Sequence, residues 1–232
     1  MYKLSVGTLG CDRTMKRYLA VPVLFLLLAG DCFGAEITVG NFASGDMTGW
    51  KPKIFKGETL YSFVRDGKRT VLKAYSKNAA SGLFKKVKVD SAEYPVLRWS
   101  WKIDRLLERE DAASKQGDDF AARVYVVFPG TLFWRTRAIV YVWSGKLAKG
   151  SALRNPYTGN AIVIAVESGH ERIGTWVHEE RNYHEDYRRF FGEEPPRLGA
   201  VAVMTDTDNT GGEAVAWYGN ISLAGGRSPA SP

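Results

Sequence analysis

The stretch VLRWSWKID, residues 96–104, alternates so regularly that it decides the fold class. In an extended chain successive side chains point to opposite faces. Leu97, Trp99, Trp101 and Ile103 therefore share one side, and Arg98, Ser100, Lys102 and Asp104 share the other. The same period returns in AARVYVVF (121–128), where Ala122, Val124, Val126 and Phe128 oppose Arg123 and Tyr125. In AIVYVW (138–143), Ile139, Tyr141 and Trp143 oppose Val140 and Val142. Half-buried strands of this kind are the units of a β-sandwich.

Outward from these three, short apolar-aromatic runs recur between turn residues. Strands are predicted at Ile37–Phe42, Tyr61–Arg65, Thr70–Tyr75, Leu83–Val89, Val96–Ile103, Ala121–Phe128, Ala138–Trp143, Ala161–Glu167, Thr175–Glu180, Ala200–Thr205 and Ala214–Leu223. Asp66-Gly67 marks a hairpin, since glycine supplies positive φ. Pro95, Pro129, Pro156, Pro195 and Pro196 all fall between runs. A helix is predicted from Asn182 to Phe191, capped by Asn182, ended by Gly192 and carrying Tyr183, Tyr187 and Phe190 on one face. A second helical turn is predicted at Arg105 to Ala113. The gaps are too short for the helical crossovers of a parallel sheet. The expected fold is all-β: an antiparallel, jelly-roll-like β-sandwich with one or two short helical insertions.

Composition agrees with a single globular domain: 232 residues, 45% hydrophobic, 32 Lys+Arg against 25 Asp+Glu. Disorder, collagen and coiled coil are excluded. Met15-Lys16-Arg17 followed by LAVPVLFLLLAG (19–30) reads as a secretory signal peptide over residues 1–35, with Met15 an alternative start. The apolar run is too short for a membrane span. Asp31 before Cys32 argues against a lipoprotein. Cys11 and Cys32 both precede the expected cleavage point, so no thiol chemistry is expected of the mature domain, residues 36–224. Residues 225–232 read as a polar, flexible tail. A periplasmic or secreted bacterial protein without a transmembrane anchor is expected. Its modest, scattered basic excess suits acidic glycans or membrane surfaces better than nucleic acid.

Two constellations carry candidate chemistry. If the first three strands are neighbours, Arg98, Lys102, Arg123, Tyr125, Tyr141 and Trp143 make one cationic and aromatic face. Such a face suits sugars, with rings stacking on pyranose C–H groups; a solvated face of long side chains is the plainer alternative. The second constellation is acidic: Gln116-Gly117-Asp118-Asp119 and Thr205-Asp206-Thr207-Asp208-Asn209. Asp206, Asp208 and Asn209 offer oxygen ligands for calcium, though without the downstream glutamate of an EF-hand. Turn-shaping hydrogen bonds are the alternative. Asp118 or Asp119 with Asp206 or Asp208 could also form the acid and base of a glycoside hydrolase, depending on their separation. His170, His178 and His184 are not at metal-binding spacing, and no nucleophile elbow, Rossmann fingerprint or P-loop occurs.

The phrases LRWSWKID, KQGDDFAARVYVVF, NPYT (155–158), DYRRFFGEEPP (186–196) and VAVMTDTDNTGG together resemble the bacterial secreted family catalogued as domain of unknown function 3047. The likeness runs from about Asn41 to Leu223. It implies an exported single domain and names no substrate. Where the family pattern has Tyr-Gly-Asp-Ile, this chain has Tyr218-Gly219-Asn220-Ile221, which would weaken any cation site that aspartate serves. Asn41-Phe42 with Gly49-Trp50 also looks like many carbohydrate-binding jelly rolls, a likeness of fold alone. The leading expectation is a domain that binds a cell-envelope or extracellular saccharide. The rivals are a polysaccharide hydrolase or lyase, and a structural envelope protein with protein partners.

Overall fold

The computed structural model describes residues 35–226. Residues 1–34 of the expected signal peptide, with Met15, Cys11 and Cys32, and residues 227–232 of the expected tail lie outside the described residues. No helix among the described residues is long and apolar enough to cross a membrane.

Two sheets carry the fold. The first contains β1 (Glu36–Gly40), β3 (Leu60–Asp66), β4 (Arg69–Lys77), β6 (Val96–Ile103), β11 (Val177–Asn182) and β13 (Glu213–Ala224). Its order is β11-β6-β13-β4-β3, with β1 pairing along β13. The second contains β2 (Trp50–Lys56), β5 (Ala80–Val89), β7 (Arg123–Phe128), β8 (Arg137–Ser144), β9 (Ala152–Asn155), β10 (Thr158–Ser168) and β12 (Leu198–Asp206), in the order β2-β5-β12-β7-β8-β10-β9. The fold is the expected antiparallel-dominated sandwich.

The alternation read from the sequence builds the core. Trp99 and Trp101 of the first sheet meet Tyr141 and Trp143 of the second, with Trp99 stacked on Tyr141 at 5.2 Å and Trp101 against Trp143 at 6.2 Å. Leu97, Ile103, Val124, Val126, Phe128 and Ile139 complete the layer, all buried. Each such side chain contributes on the order of 1.5–3 kcal/mol by leaving water. The predicted helix is present as α1 (Tyr183–Phe191): Asn182 Oδ1 accepts the Glu185 N–H at 3.0 Å, and Gly192 ends it at φ 74°. Asp186 fixes it to the sandwich by accepting from the Tyr141 hydroxyl at 2.7 Å and from Arg181 at 2.6 Å.

Three expectations are corrected. Residues 105–113 form no helix. Glu110 is buried and accepts hydrogen bonds from the Ser144 hydroxyl and from the Gly145 N–H at 2.8 Å, which pins the segment as a loop against the end of β8. One strand pair, β8 with β10, is parallel. Its crossover is supplied by residues 145–157, which carry β9 and need no helix. Finally, β2 and β9 are strands the sequence did not declare. Pro52 interrupts the apolar pattern of β2, and a sheet tolerates it there because β2 is an edge strand.

Candidate functional site

Four of the expected binding residues are accounted for by strand placement alone. Tyr141 and Trp143 do not line a surface, because β8 turns them into the core, where both are fully buried. Arg98 and Lys102 lie on β6, in the other sheet from β7, so they cannot share a face with Arg123 and Tyr125. Arg98 pairs with Glu180 at 2.7 Å, and Lys102 pairs with Asp66 at 2.7 Å while sitting 4.5 Å from the Trp217 ring. A hollow of about 420 Å³ beside Arg98 is lined by Ser100, His178, Glu180 and Asn220. Asn220 there accepts the Ala43 N–H at 2.8 Å, far in the fold from the acidic loops. A Cβ on Gly219 beside it would collide with the Ser100 hydroxyl, which would have to turn away.

The outer face of the second sheet is different. Here β7 presents Arg123 and Tyr125, β12 presents Ala200, Ala202 and Met204, and β5 presents Gly82 and Phe84. The floor is made of small residues, and a Cβ on Gly82 would press to 3.0 Å from the Val203 carbonyl oxygen. Rings rise around this floor: Phe55 from β2, 62% exposed, then Phe84 and Tyr125. Two adjoining hollows of about 540 and 310 Å³ share Phe55, Tyr125 and Met204, and together form one groove. Tyr157, on the turn between β9 and β10, leans over one end, its hydroxyl 2.9 Å from Asn209 Oδ1 and 3.1 Å from the Lys115 carbonyl oxygen.

That end of the groove holds both acidic loops, brought together by Arg123. Its Nε donates to Asp206 Oδ1 at 2.8 Å, Nη1 donates to Asp118 Oδ1 at 3.2 Å, and Nη2 donates to the second oxygen of Asp206 and to the Asp118 carbonyl. Its guanidinium lies 4.6 Å from the Phe120 ring. Asp119 accepts the backbone N–H groups of Asn209 at 2.9 Å and Thr210 at 2.6 Å, so one acidic loop shapes the other. Asn155 donates to Asp118 at 2.8 Å. Lys56 lies 3.7 Å from Asp208 across the groove mouth.

Asp118, Asp119, Arg123 and Asp206 are all nearly or fully buried. Burial works against charge on Arg123, but Asp206, Tyr125 and Asp118 together more than offset it and hold the guanidinium protonated. Burial lifts the Asp206 carboxyl to about 7, with Arg123 opposing the rise and Asp119 adding to it. Burial likewise lifts Tyr125 to about 12. These are the signatures of a closed polar cage.

Asp119, Asp206 and Asp208 each bring one oxygen within 4.8 Å of the others, close enough to touch a single ion. In this arrangement the oxygens are organised around a guanidinium. Both Asp206 oxygens face Arg123, Asp119 is taken by N–H groups, and Asn209 turns its own N–H groups toward Asp119. A divalent ion would sit beside a fixed positive charge. Asp118, Asp206 and Asp208 line this end of the groove, with oxygens of Asp118 and Asp206 already accepting from Arg123.

A family model described as a protein of unknown function, DUF3047, matches residues 48–222. The chain belongs to this family. No curated protein matches it. Among solved structures it is similar to the family 30 carbohydrate-binding module of a cellulosomal cellulase from Clostridium thermocellum, at 8% identity and TM-score 0.49, covering 84% of this chain and 99% of that one. It is also similar to the K2 cleaved adhesin domain of Lys-gingipain, at 12% identity and TM-score 0.43, covering 82% and 99%. A xylan-binding domain from Paenibacillus barcinonensis matches at 14% identity and TM-score 0.39, covering 84% and 97%. Nothing about this family member's ligand follows from them.

Sequence reasoning missed Phe55, Phe84, Met204 and Tyr157. Phe55 was hidden by the undeclared strand β2. Phe84 shares a face with Gly82, an alternation legible in ASGLFKKVKV once the floor is known to be small. Tyr157 stands in the NPYT phrase, which carried the family likeness but no role.

Proposed function

We propose that this family member is an exported saccharide-binding domain, and that its ligand lies along the groove on the outer face of the second sheet. The observation that carries the reading is the groove itself: a floor of Gly82, Ala200 and Ala202 between the rings of Phe55, Phe84 and Tyr125, with amide and charged groups at one end. Small floor residues let an extended chain lie close to the sheet. Aromatic faces suit the C–H faces of sugar rings, and Asn155, Asn209 and Lys56 offer hydrogen bonds at the rim. Export is supported by the basic and apolar run at residues 16–30 and by a domain that needs no thiol. A cell-envelope or extracellular saccharide is the ligand this location offers.

Binding is favoured over hydrolysis because three of the four candidate carboxylates, Asp118, Asp119 and Asp206, are already engaged by Arg123 or by N–H groups. Affinity electrophoresis of the purified protein through gels containing hydroxyethylcellulose, xylan or polygalacturonate tests the reading. Retardation by at least one of them, lost in both Tyr125→Ala and Phe84→Ala, is the expected result. Migration unaffected by every polysaccharide, or retardation unchanged in both variants, would refute the groove.

A further inference from the structure

The groove has a sidedness in charge. Its outer wall is made by β2 and β5, whose sequences WKPKIFK and ASGLFKKVKV contain lysines and no carboxylate. Lys51 and Lys53 share a face with Phe55 by strand alternation, and Lys53 Nζ lies 5.1 Å from the Phe55 ring centroid. Lys86 and Lys88 share a face with Phe84 in the same way. All four lysines are exposed. Among the described residues the ion pair made from this wall is Lys56 with Asp208, at the groove mouth.

The opposite wall does not balance them. β7 carries no acid, and the acid of β12 is Asp206, which Arg123 neutralises at the far end. An unmatched row of ammonium groups beside a ligand groove attracts an anionic chain and repels a cationic one. Arg123, the cation expected from the sequence to read the ligand, is consumed in its cage. The charge available to a ligand is therefore on the lysines.

We infer that the ligand of this groove is an acidic polysaccharide, one bearing carboxylates along its length, whose sugar rings meet Phe55, Phe84 and Tyr125 while its carboxylates meet Lys51, Lys53 and Lys86. This rests on the saccharide reading and adds the substrate class to it. Exposed ammonium groups act through screened attraction, so affinity must fall with salt, on a scale set by a Debye length of about 8 Å at physiological ionic strength.

The test compares polygalacturonate with the same polymer fully methyl-esterified, which keeps the rings and removes the charge. Titration of the purified protein at low and at high salt is expected to show at least tenfold tighter binding to the acid form, weakening with salt. Lys51→Glu/Lys53→Glu should bring the acid form down to the affinity of the ester or below it. Equal, salt-independent binding of both polymers by wild type and by the double variant overturns the acidic class and leaves the saccharide reading standing. Binding of neither polymer overturns the acidic class, and the saccharide reading falls with it only if hydroxyethylcellulose and xylan also fail to retard the protein. Polyglutamate distinguishes charge from sugar: binding as tight as polygalacturonate, and indifferent to Tyr125→Ala, would make this a general polyanion surface and overturn the inference.

Discussion

The two outer faces of the sandwich carry similar residues and do opposite things with them. On the first sheet the cations expected to bind a ligand have partners: Arg98 has Glu180, and Lys102 has Asp66 and two tryptophan rings. On the second, Arg123 is sealed in a cage while the lysines of β2 and β5 stand beside open aromatic rings. A charge that has found its partner on its own surface has little left for a ligand. Pairing, more than residue type, separates a solvated face from a binding one.

The sharpest way to break this contrast is to open the cage. Arg123→Met leaves Asp118 and Asp206 buried without their cation, and a loss of about 3–5 kcal/mol in denaturant-measured stability is expected. A cost under about 1 kcal/mol would instead make Arg123 an ordinary surface group like Arg98.

The cage should also report its own ionisation. Because the Asp206 carboxyl is lifted to about 7 from its ordinary 3.8, the folded state keeps a proton that the unfolded chain has released over that interval. This group's contribution to stability is therefore complete below about pH 4 and is lost as pH rises to about 7. Arg123 and Asp119 are the charged groups facing it. Asp206→Asn should remove that downward slope from the pH-stability curve, and an unchanged curve would place the ionisation elsewhere.

Smaller still, Tyr125→Ala should weaken polysaccharide binding about tenfold or more, about 1.4 kcal/mol, while the protein stays folded by circular dichroism. Lys102→Ala, on the partnered face, should alter binding less than twofold and stability by about 1 kcal/mol or less. Smallest of all, thermal unfolding with excess calcium and then with chelator should give the same midpoint. A calcium-dependent rise abolished in Asp208→Asn would restore the metal reading of the acidic loops.

Much of this was legible in one dimension. The two-residue period of residues 96–104 and 121–128 set which side chains face the core, and Leu97, Trp99, Trp101, Ile103, Ala122, Val124, Val126 and Phe128 all lie there. Asn182 and Gly192 bounded the helix because capping is local chemistry. The convergence of Asp118, Asp119, Asp206 and Asp208 near Arg123 was legible only as a suspicion, since it depends on β7 lying next to β12. Strand order was the missing information. Alternation tells a side chain's face but not its sheet, so Lys102 and Arg123 looked alike when they stand on opposite sides of the molecule. Tyr141 and Trp143 looked like ligand-facing rings because an aromatic pattern reads the same whether its outside is water or another sheet.

The lysine-bearing strand β2 has one more consequence. It is one of the two edge strands of the second sheet, and a free edge offers backbone hydrogen bonds to any extended segment, including the same strand of another copy. Pro52 withholds a donor from such a zipper, and Lys51, Lys53 and Lys56 would confront their own likeness across it. The row that draws an acidic chain into the groove thus also keeps one domain from polymerising onto the next, so a variant made neutral there to lose its ligand would be expected to lose its solubility as well.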